Sequence, residues 1–169
     1  MKLVIEKLPD LRALYIKQLR VLLSAEEQIV RRLPTMIEVA TATQLKQALQ
    51  SHKQESEIQI TRLRKILSEI AGEAEPLKCK VLGALVEETE DMVEDSSHEA
   101  VRDAALITGA QRIEHYELAA YGAVRHFAHV LGRDDDAEVL NQTLQEERHS
   151  DHLLTSIADR VNPAAKKAA

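Results

Sequence analysis

Leu19, Leu22, Ile29, Leu33 and Ile37 recur at the spacing that lines apolar side chains along one face of an α-helix. The pattern predicts a helix from a cap at Asp10 to about Ala40. Pro34 lies inside it and is expected to kink it, because proline has no N–H to give to the helical ladder. A second stripe, Leu45, Ala48, Leu63, Ile66 and Ile70, predicts a helix capped by Thr41 or Thr43 and ended by Gly72. Pro76 opens a shorter helix, Leu77 to about Glu94, in which Gly83 is placed to permit close packing. Ser96 and Ser97 are expected to cap a fourth segment, His98 to about Val130, which Gly132 stops. Asp134 to Asp136 begin the last helix, which is expected to run to about Val161.

Four long helices and one short one predict an all-α fold, an antiparallel four-helix bundle with the short helix in a crossover. That crossover lies between the second and third long helices, where residues 71–97 are enough to traverse a bundle. Residues 1–162 are expected to form a single domain, and residues 163–169, without an apolar face, a disordered tail.

Composition narrows the class. With one Phe, three Tyr and no Trp, the core must be built from Leu, Ile, Val and Ala. Five glycines and four prolines in 169 residues suit long helices and oppose a turn-rich β fold. The formal charge of −6 argues against nucleic acid or an anionic membrane as the main partner. Cys79 has no companion, so no internal disulfide is expected, and a small buried residue is a better reading of it than a redox nucleophile. No apolar run reaches the roughly 18 residues of a spanning helix. The opening MKLVIEKLPD is too acidic, and its apolar run too short, for a signal peptide. A cytoplasmic protein without membrane association is the expectation.

Chemistry enters when polar residues are placed on the stripes. Glu26 falls between Leu22 and Ile29 at the centre of the first, with Glu27 towards its edge. On the second helix His52 is central and Glu55 flanks it, with Gln59 one turn later. Ala110, Glu117, Tyr121 and Val124 share a face of the fourth, with Glu114 about one turn before Glu117. The last helix has the seam Leu140, Leu144, Glu147, Asp151, Leu154, Ala158 and Val161. One acid on an apolar stripe is ordinarily a solvated edge. Four helices each carrying one at similar depth are not explained that way. Six acids with one histidine cannot neutralise one another, and a buried ionised carboxylate without a partner costs on the order of several kcal/mol. Either protons or cations must sit among them, and carboxylate oxygen with imidazole suits iron or manganese.

Other histidines fit less well. Glu146 and His149 have Glu-x-x-His spacing, but His149 lies about 200° of helical rotation from Glu147 and is read as a decoy. His115 is about 160° from Glu117 and is read as a surface or helix-contact residue. His126, His129 and His152 read as polar-face residues.

The segments LLSAEEQIVRRLPTM, HKQES, CKVLGALVEE, EHYELAAYG and TLQEERHSD, in this order, resemble those of the YciF/YciE-type ferritin-like proteins over about residues 10–160. The resemblance implies a rubrerythrin-like four-helix bundle, a homodimer, a dinuclear iron site and a link to bacterial stress responses. Carried over residue by residue, its motifs fall on Glu26, on His52 and Glu55, on Glu114 and Glu117, and on Glu146, Glu147 and Asp151. Ser24 stands where many members have Asp. The second helix reads His-x-x-Glu and the last offers Glu-x-x-x-Asp, which puts a strict di-iron pattern in doubt and raises manganese as an alternative.

The resulting expectation is a centre of two iron ions, or manganese, held by Glu26, His52, Glu55, Glu114, Glu117, Glu147 and Asp151. Such a centre would reduce oxygen or peroxide or oxidise Fe(II), which leaves oxidoreductase activity of a peroxidase, catalase or ferroxidase type open. Tyr121 is expected to pack, with a donor role toward the carboxylates or a redox-active role beside the centre as the alternatives. Two competing readings remain. One is a helical scaffold for stress-related interactions in which metal is incidental. The other is a mineral-storing or DNA-protecting cage, which the charge and the weakly basic tail at Lys166 and Lys167 oppose.

Overall fold

The computed structural model describes residues 7–72 and 74–167. They form five helices: α1 (Leu11–Val39), α2 (Thr43–Ala71), α3 (Lys80–Glu94), α4 (Glu99–Val130) and α5 (Asp134–Ala165). No strand occurs among the described residues, and the all-helical expectation holds. Residues 1–6, which carry much of the signal-peptide reading, and the last two residues of the tail lie outside the described residues.

Each long helix touches two others: α1 packs on α2 and α4, and α5 packs on α2 and α4. Bonds between them set the directions. Arg12 at the start of α1 donates to the Ile70 carbonyl at the end of α2, and Gln44 of α2 accepts from Arg160 of α5. Arg125 of α4 donates to Asn141 of α5, while Gln111 donates to Thr155. Packed neighbours therefore run in opposite directions, and α2 and α4 run the same way. The chain returns from the end of α2 to the start of α4 through α3, which packs on α4 and α1.

The apolar core comes in two blocks. One gathers Ile29, Leu33, Leu49, Leu106, Ile113 and Leu154. The other gathers Leu19, Leu22, Leu63, Tyr121, Val124 and Leu144. Along every long helix the residues between the two blocks are those on which the stripe analysis placed acids. The fold thus holds a polar layer at mid-height, closed above and below by hydrocarbon.

Helix ends differ from expectation in physically clear ways. Asp10 does cap α1, accepting from the Ala13 N–H at 2.7 Å. α1 continues through Pro34 to Val39. Neither Thr41 nor Thr43 caps α2 with its side chain. The N–H groups of Thr41 and Ala42 go instead to the buried Asp103 carboxylate of α4, at 2.8 and 2.7 Å, and the Thr41 hydroxyl joins at 2.6 Å. An acceptor from another helix replaces the local one. α3 starts at Lys80, not Leu77, because the Cys79 thiol caps it by accepting from the Leu82 N–H. Ser96 donates back to the Met92 carbonyl, so α4 begins after His98 without a side-chain cap. α5 passes its expected end and runs through Pro163 to Ala165.

The close helix contact lies at Gly109, not Gly83. A Cβ at Gly83 would make only ordinary contact with the Gln28 side chain, at 3.5 Å. A Cβ at Gly109 would overlap the Thr89 side chain of α3. Gly109→Ala is therefore expected to destabilise the protein by about 1–3 kcal/mol, as overpacking does, outweighing the helix-propensity gain of about 0.5–1 kcal/mol. Urea unfolding measures it. Adding Thr89→Ala should recover most of the loss, since the two sites share one contact.

Candidate metal centre

Glu26 from α1, His52 from α2, Glu114 and Glu117 from α4, and Glu147 from α5 all project into the polar layer. None is more than 7 % exposed, and Glu26, Glu117 and Glu147 are 0 % exposed. The Glu114–Glu117 spacing sets two carboxylates on one face of α4, as i,i+3 positions must.

His52 is the hub. Its Nδ1 lies 3.5 Å from Glu114 Oε1 and 3.9 Å from Glu147 Oε2, and its Nε2 lies 4.0 Å from Glu117 Oε2. One ligand atom from each of these four residues lies within 4.8 Å of the others, so the group can hold a metal ion. Two atoms on opposite sides of one ion, at bonds of about 2.0–2.2 Å, stand about 4.0–4.4 Å apart. Side-chain shifts of a few tenths of an ångström close the rest.

Partner atoms test whether the residues fit a cation. Glu26 Oε2, His52 Nδ1, Glu114 Oε2, both Glu117 oxygens and Glu147 Oε2 are buried without a hydrogen-bond partner. Buried polar atoms are nearly always satisfied, and an orphaned cluster calls for an ion or a proton. Two donors serve the rest. The Tyr121 hydroxyl donates to Glu26 Oε1 at 2.6 Å. Gln59 Nε2 donates to Glu147 Oε1 at 2.5 Å and to Glu146 at 3.1 Å. No Lys or Arg pairs with the four-residue group among the described residues. A site of carboxylate and imidazole with unmet negative charge fits iron or manganese.

The same shortage shows in the acidities. Burial pushes the Glu26 carboxyl up to about 7 and Glu114 up to about 8, against 4.5 for an ordinary glutamate. Burial, then the charge of Glu26, drives Glu117 and Glu147 well above that value. Without a cation, protons can be shared between Glu26 and Glu117 and between Glu114 and Glu147. Burial pushes His52 down to about 4, so its imidazole is neutral, the form that ligates metal.

Three of the seven predicted residues stand outside the four-residue group: Glu26, which lies buried beside it and accepts from Tyr121, and Glu55 and Asp151. Glu55 is half-buried, beside Glu146, His149 and Ser150; burial, then the charge of Glu146, raises its carboxyl. Asp151 accepts from Gln111 at 3.3 Å and faces the exposed His115 at 3.4 Å. Glu146 is occupied by Arg62, which reaches both of its oxygens, and His149 is exposed. Glu27 pairs with Arg64 at the surface. Sequence reasoning missed the Arg62–Glu146–Gln59 chain that steers Glu147, and Ser56, fully buried beside Glu26. It left Tyr121 as packing first and donor second. The structure gives it both roles, and its place one turn beyond Glu117 was the available signal. Cys79 is buried, as expected, with its thiol 3.1 Å from the Tyr116 hydroxyl.

Comparisons with known proteins agree with this architecture. The family model described as "Domain of unknown function (DUF892)" matches residues 10–167. Protein YciF of Escherichia coli (strain K12) is 38 % identical over 146 residues, covering 86 % of this chain and 87 % of that protein. The crystal structure of the E. coli stress protein YciF aligns with a TM-score of 0.87, at 32 % identity, over 92 % of this chain and 99 % of that one. YcfI of Rhodopseudomonas palustris, provisionally labelled a structural protein, aligns at 0.86 and 33 % identity, over 89 % of this chain and 96 % of that one. A Xanthomonas campestris protein at 18 % identity and a TM-score of 0.69, covering 93 % of this chain and 99 % of that one, shares the fold. No helix among the described residues is long and apolar enough to cross a membrane.

Proposed function

Because the chain belongs to the DUF892 family, we propose that it is a stress-related ferritin-like protein whose bundle core binds a dinuclear iron or manganese centre. The proposal includes a homodimer in the bacterial cytoplasm and oxygen, peroxide or Fe(II) as the reactant. One observation carries it: His52, Glu114, Glu117 and Glu147 converge from three helices, buried, with Glu26 of the fourth beside them and, among the described residues, no lysine or arginine to balance them. Two ions of charge two would neutralise four carboxylates. The return of the chain through α3 between the parallel α2 and α4 supports the ferritin-like bundle.

When bound, such a centre supplies two electrons for reduction of oxygen or peroxide. The protein's part is to position and protect. His52 and the glutamates hold the ligand atoms in place. Tyr121 keeps a proton on its hydroxyl, since burial raises its pKa well above the ordinary 10, and so donates to Glu26 throughout. Gln59, seated by Glu146, orients Glu147. The two apolar blocks exclude bulk water. Glu55 and Asp151 flank the centre.

Metal analysis of protein purified without chelator, then loaded anaerobically with Fe(II) or Mn(II), tests this reading. About two equivalents per chain are expected. Substoichiometric metal that loading cannot raise would sink it.

A second reading has its own support. The acids can stand neutral without a cation, since their protons are held to about pH 7 and pH 8 at Glu26 and Glu114, and one solved relative carries the structural-protein label. The protein is then a helical scaffold with incidental metal. Charge-neutral substitutions in the core would leave its cellular role intact.

A further inference from the structure

Beside the polar layer, between the four long helices and α3, lies a cavity of about 90 Å³. Most of its wall is hydrocarbon, the buried Ile29, Leu33, Leu49, Val86, Ile113 and Leu154, with the buried Ser150 among them. Its inner end is formed by His52 and Glu114. Its outer lip is formed by Arg32, Ser51 and His149, all exposed, with Glu55 half-buried among them. The cavity therefore joins the surface to one edge of the candidate centre, at the two residues whose orphaned atoms include His52 Nδ1 and Glu114 Oε2.

We propose that this cavity admits and holds a small non-polar molecule of the dioxygen class and presents it to the His52–Glu114 edge. The proposal deepens the metal-centre reading and rests on it for the chemistry, though not for the binding. Size sets the first limit. A single water needs roughly 10–15 Å³ of such space, so the cavity takes a molecule of a few heavy atoms and no extended substrate. Polarity sets the second. Peroxide carries two hydroxyl groups, and each would forgo its hydrogen bonds to water along a wall of Leu, Ile and Val, at a cost of roughly 1–3 kcal/mol per group. A non-polar diatomic forgoes nothing. Apolar cavities of this order stay dry and take up xenon, so xenon is a direct probe. Between the two candidate oxidants, the wall selects oxygen.

The way in can be narrowed without touching the ligands. Ala48 and Ala110 line the cavity one turn before His52 and Glu114 respectively. Ala48→Leu or Ala110→Leu fills the space with hydrocarbon, and the second serves if the first does not fold. Xenon is titrated into the wild type and the plugged variant in solution and followed by the methyl shifts of Leu49, Ile113 and Leu154. Both are loaded with equal Fe(II) and mixed with oxygen or with hydrogen peroxide. The expected result is saturable xenon shifts in the wild type that vanish in the variant. Oxidation by oxygen should slow at least 10-fold while oxidation by peroxide stays within about 2-fold. No xenon response in the wild type overturns the proposal. So does unchanged oxygen-driven oxidation in a variant that has lost xenon binding at equal iron content. Xenon binding in a protein that takes no iron would leave the cavity assigned and remove the metal centre instead.

Discussion

Glu117→Gln is expected to abolish stoichiometric metal binding and, at the same time, to raise the melting temperature of the metal-free protein. Glu117 is fully buried, and neither of its oxygens has a hydrogen-bond partner. Three other acids press on it: after burial itself, the charges of Glu26, Glu147 and Glu114 raise its carboxyl. Glutamine keeps the shape, is neutral without having to take up a proton, and adds an amide that can donate to its neighbours. Holding the Glu117 carboxyl protonated at pH 7, when in the unfolded chain it ionises near 4.5, costs the fold up to about 3 kcal/mol at about 1.36 kcal/mol per pH unit; glutamine is spared that cost, worth roughly 2–4 °C per kcal/mol at this chain length. A ligand to a metal is different. Disturbing even the groups behind a ligand costs about 10–100-fold in affinity, so losing the ligand should cost about 100-fold or more. Calorimetry of chelated protein and metal analysis of loaded protein read the two effects separately. Glu57→Gln, on the exposed face of α2, makes the same exchange and should do neither. A Glu117→Gln variant that binds metal normally would mean that Glu117 is not a ligand.

The second large effect is pH-dependent. Chelated protein should lose at least about 2 kcal/mol of stability between about pH 6.5 and pH 8, while metal-loaded protein should not. Glu26 and Glu114 hold protons to about 7 and about 8 in the folded protein, and burial raises the carboxyls of Glu117 and Glu147 well above 4.5. In the unfolded chain all four ionise near 4.5. Over this interval the folded state binds more protons, unfolding releases them, and rising pH favours unfolding. The contribution is fully present below about 4.5 and is lost as pH rises through the folded values. His52 works the other way. Its folded value of about 4 lies below the ordinary 6.5, so its contribution is present above 6.5 and is lost as pH falls toward 4. Above pH 6.5 only the acids act. One such proton carried over 1.5 pH units at about 1.36 kcal/mol per unit gives the 2 kcal/mol, or roughly 4–8 °C. A bound cation takes the place of the protons, so the loaded protein should be flat. Thermal scans of both forms across the window make the comparison. A flat curve for the chelated form would show that the acids are already ionised and compensated.

Periodicity made much of this legible. Glu26, His52, Glu114, Glu117 and Glu147 occupy stripe positions, where the 3.6-residue repeat fixes direction to within part of a turn. The precision fails at about the width of one residue. Glu55 is three residues beyond His52, about 60° back around the helix, and Asp151 is four beyond Glu147, about 40° ahead. Those offsets carry Glu55 to the cavity lip and Asp151 to the α4 edge, where His115 and Gln111 meet it. Long-range partners left no local trace. The acceptor that holds the start of α2 is Asp103, some 60 residues on. The guanidinium that occupies Glu146 comes from Arg62 on another helix. A cap or an ion pair made across helices cannot be read from spacing along one of them. Gly109 shows the same limit: nothing near it in sequence reveals that Thr89 fills the space a Cβ would need.

The most direct measurement is anomalous diffraction from crystals grown after anaerobic loading with Fe(II) or Mn(II), collected on either side of the metal absorption edge. The expected map has two peaks in the bundle core, at bonding distance, about 2.0–2.3 Å, from atoms of His52, Glu114, Glu117 and Glu147, with Glu26 on the side nearest Tyr121. A core without anomalous density in crystals whose solution holds excess metal, with His52 and the glutamates still unpartnered, would contradict it.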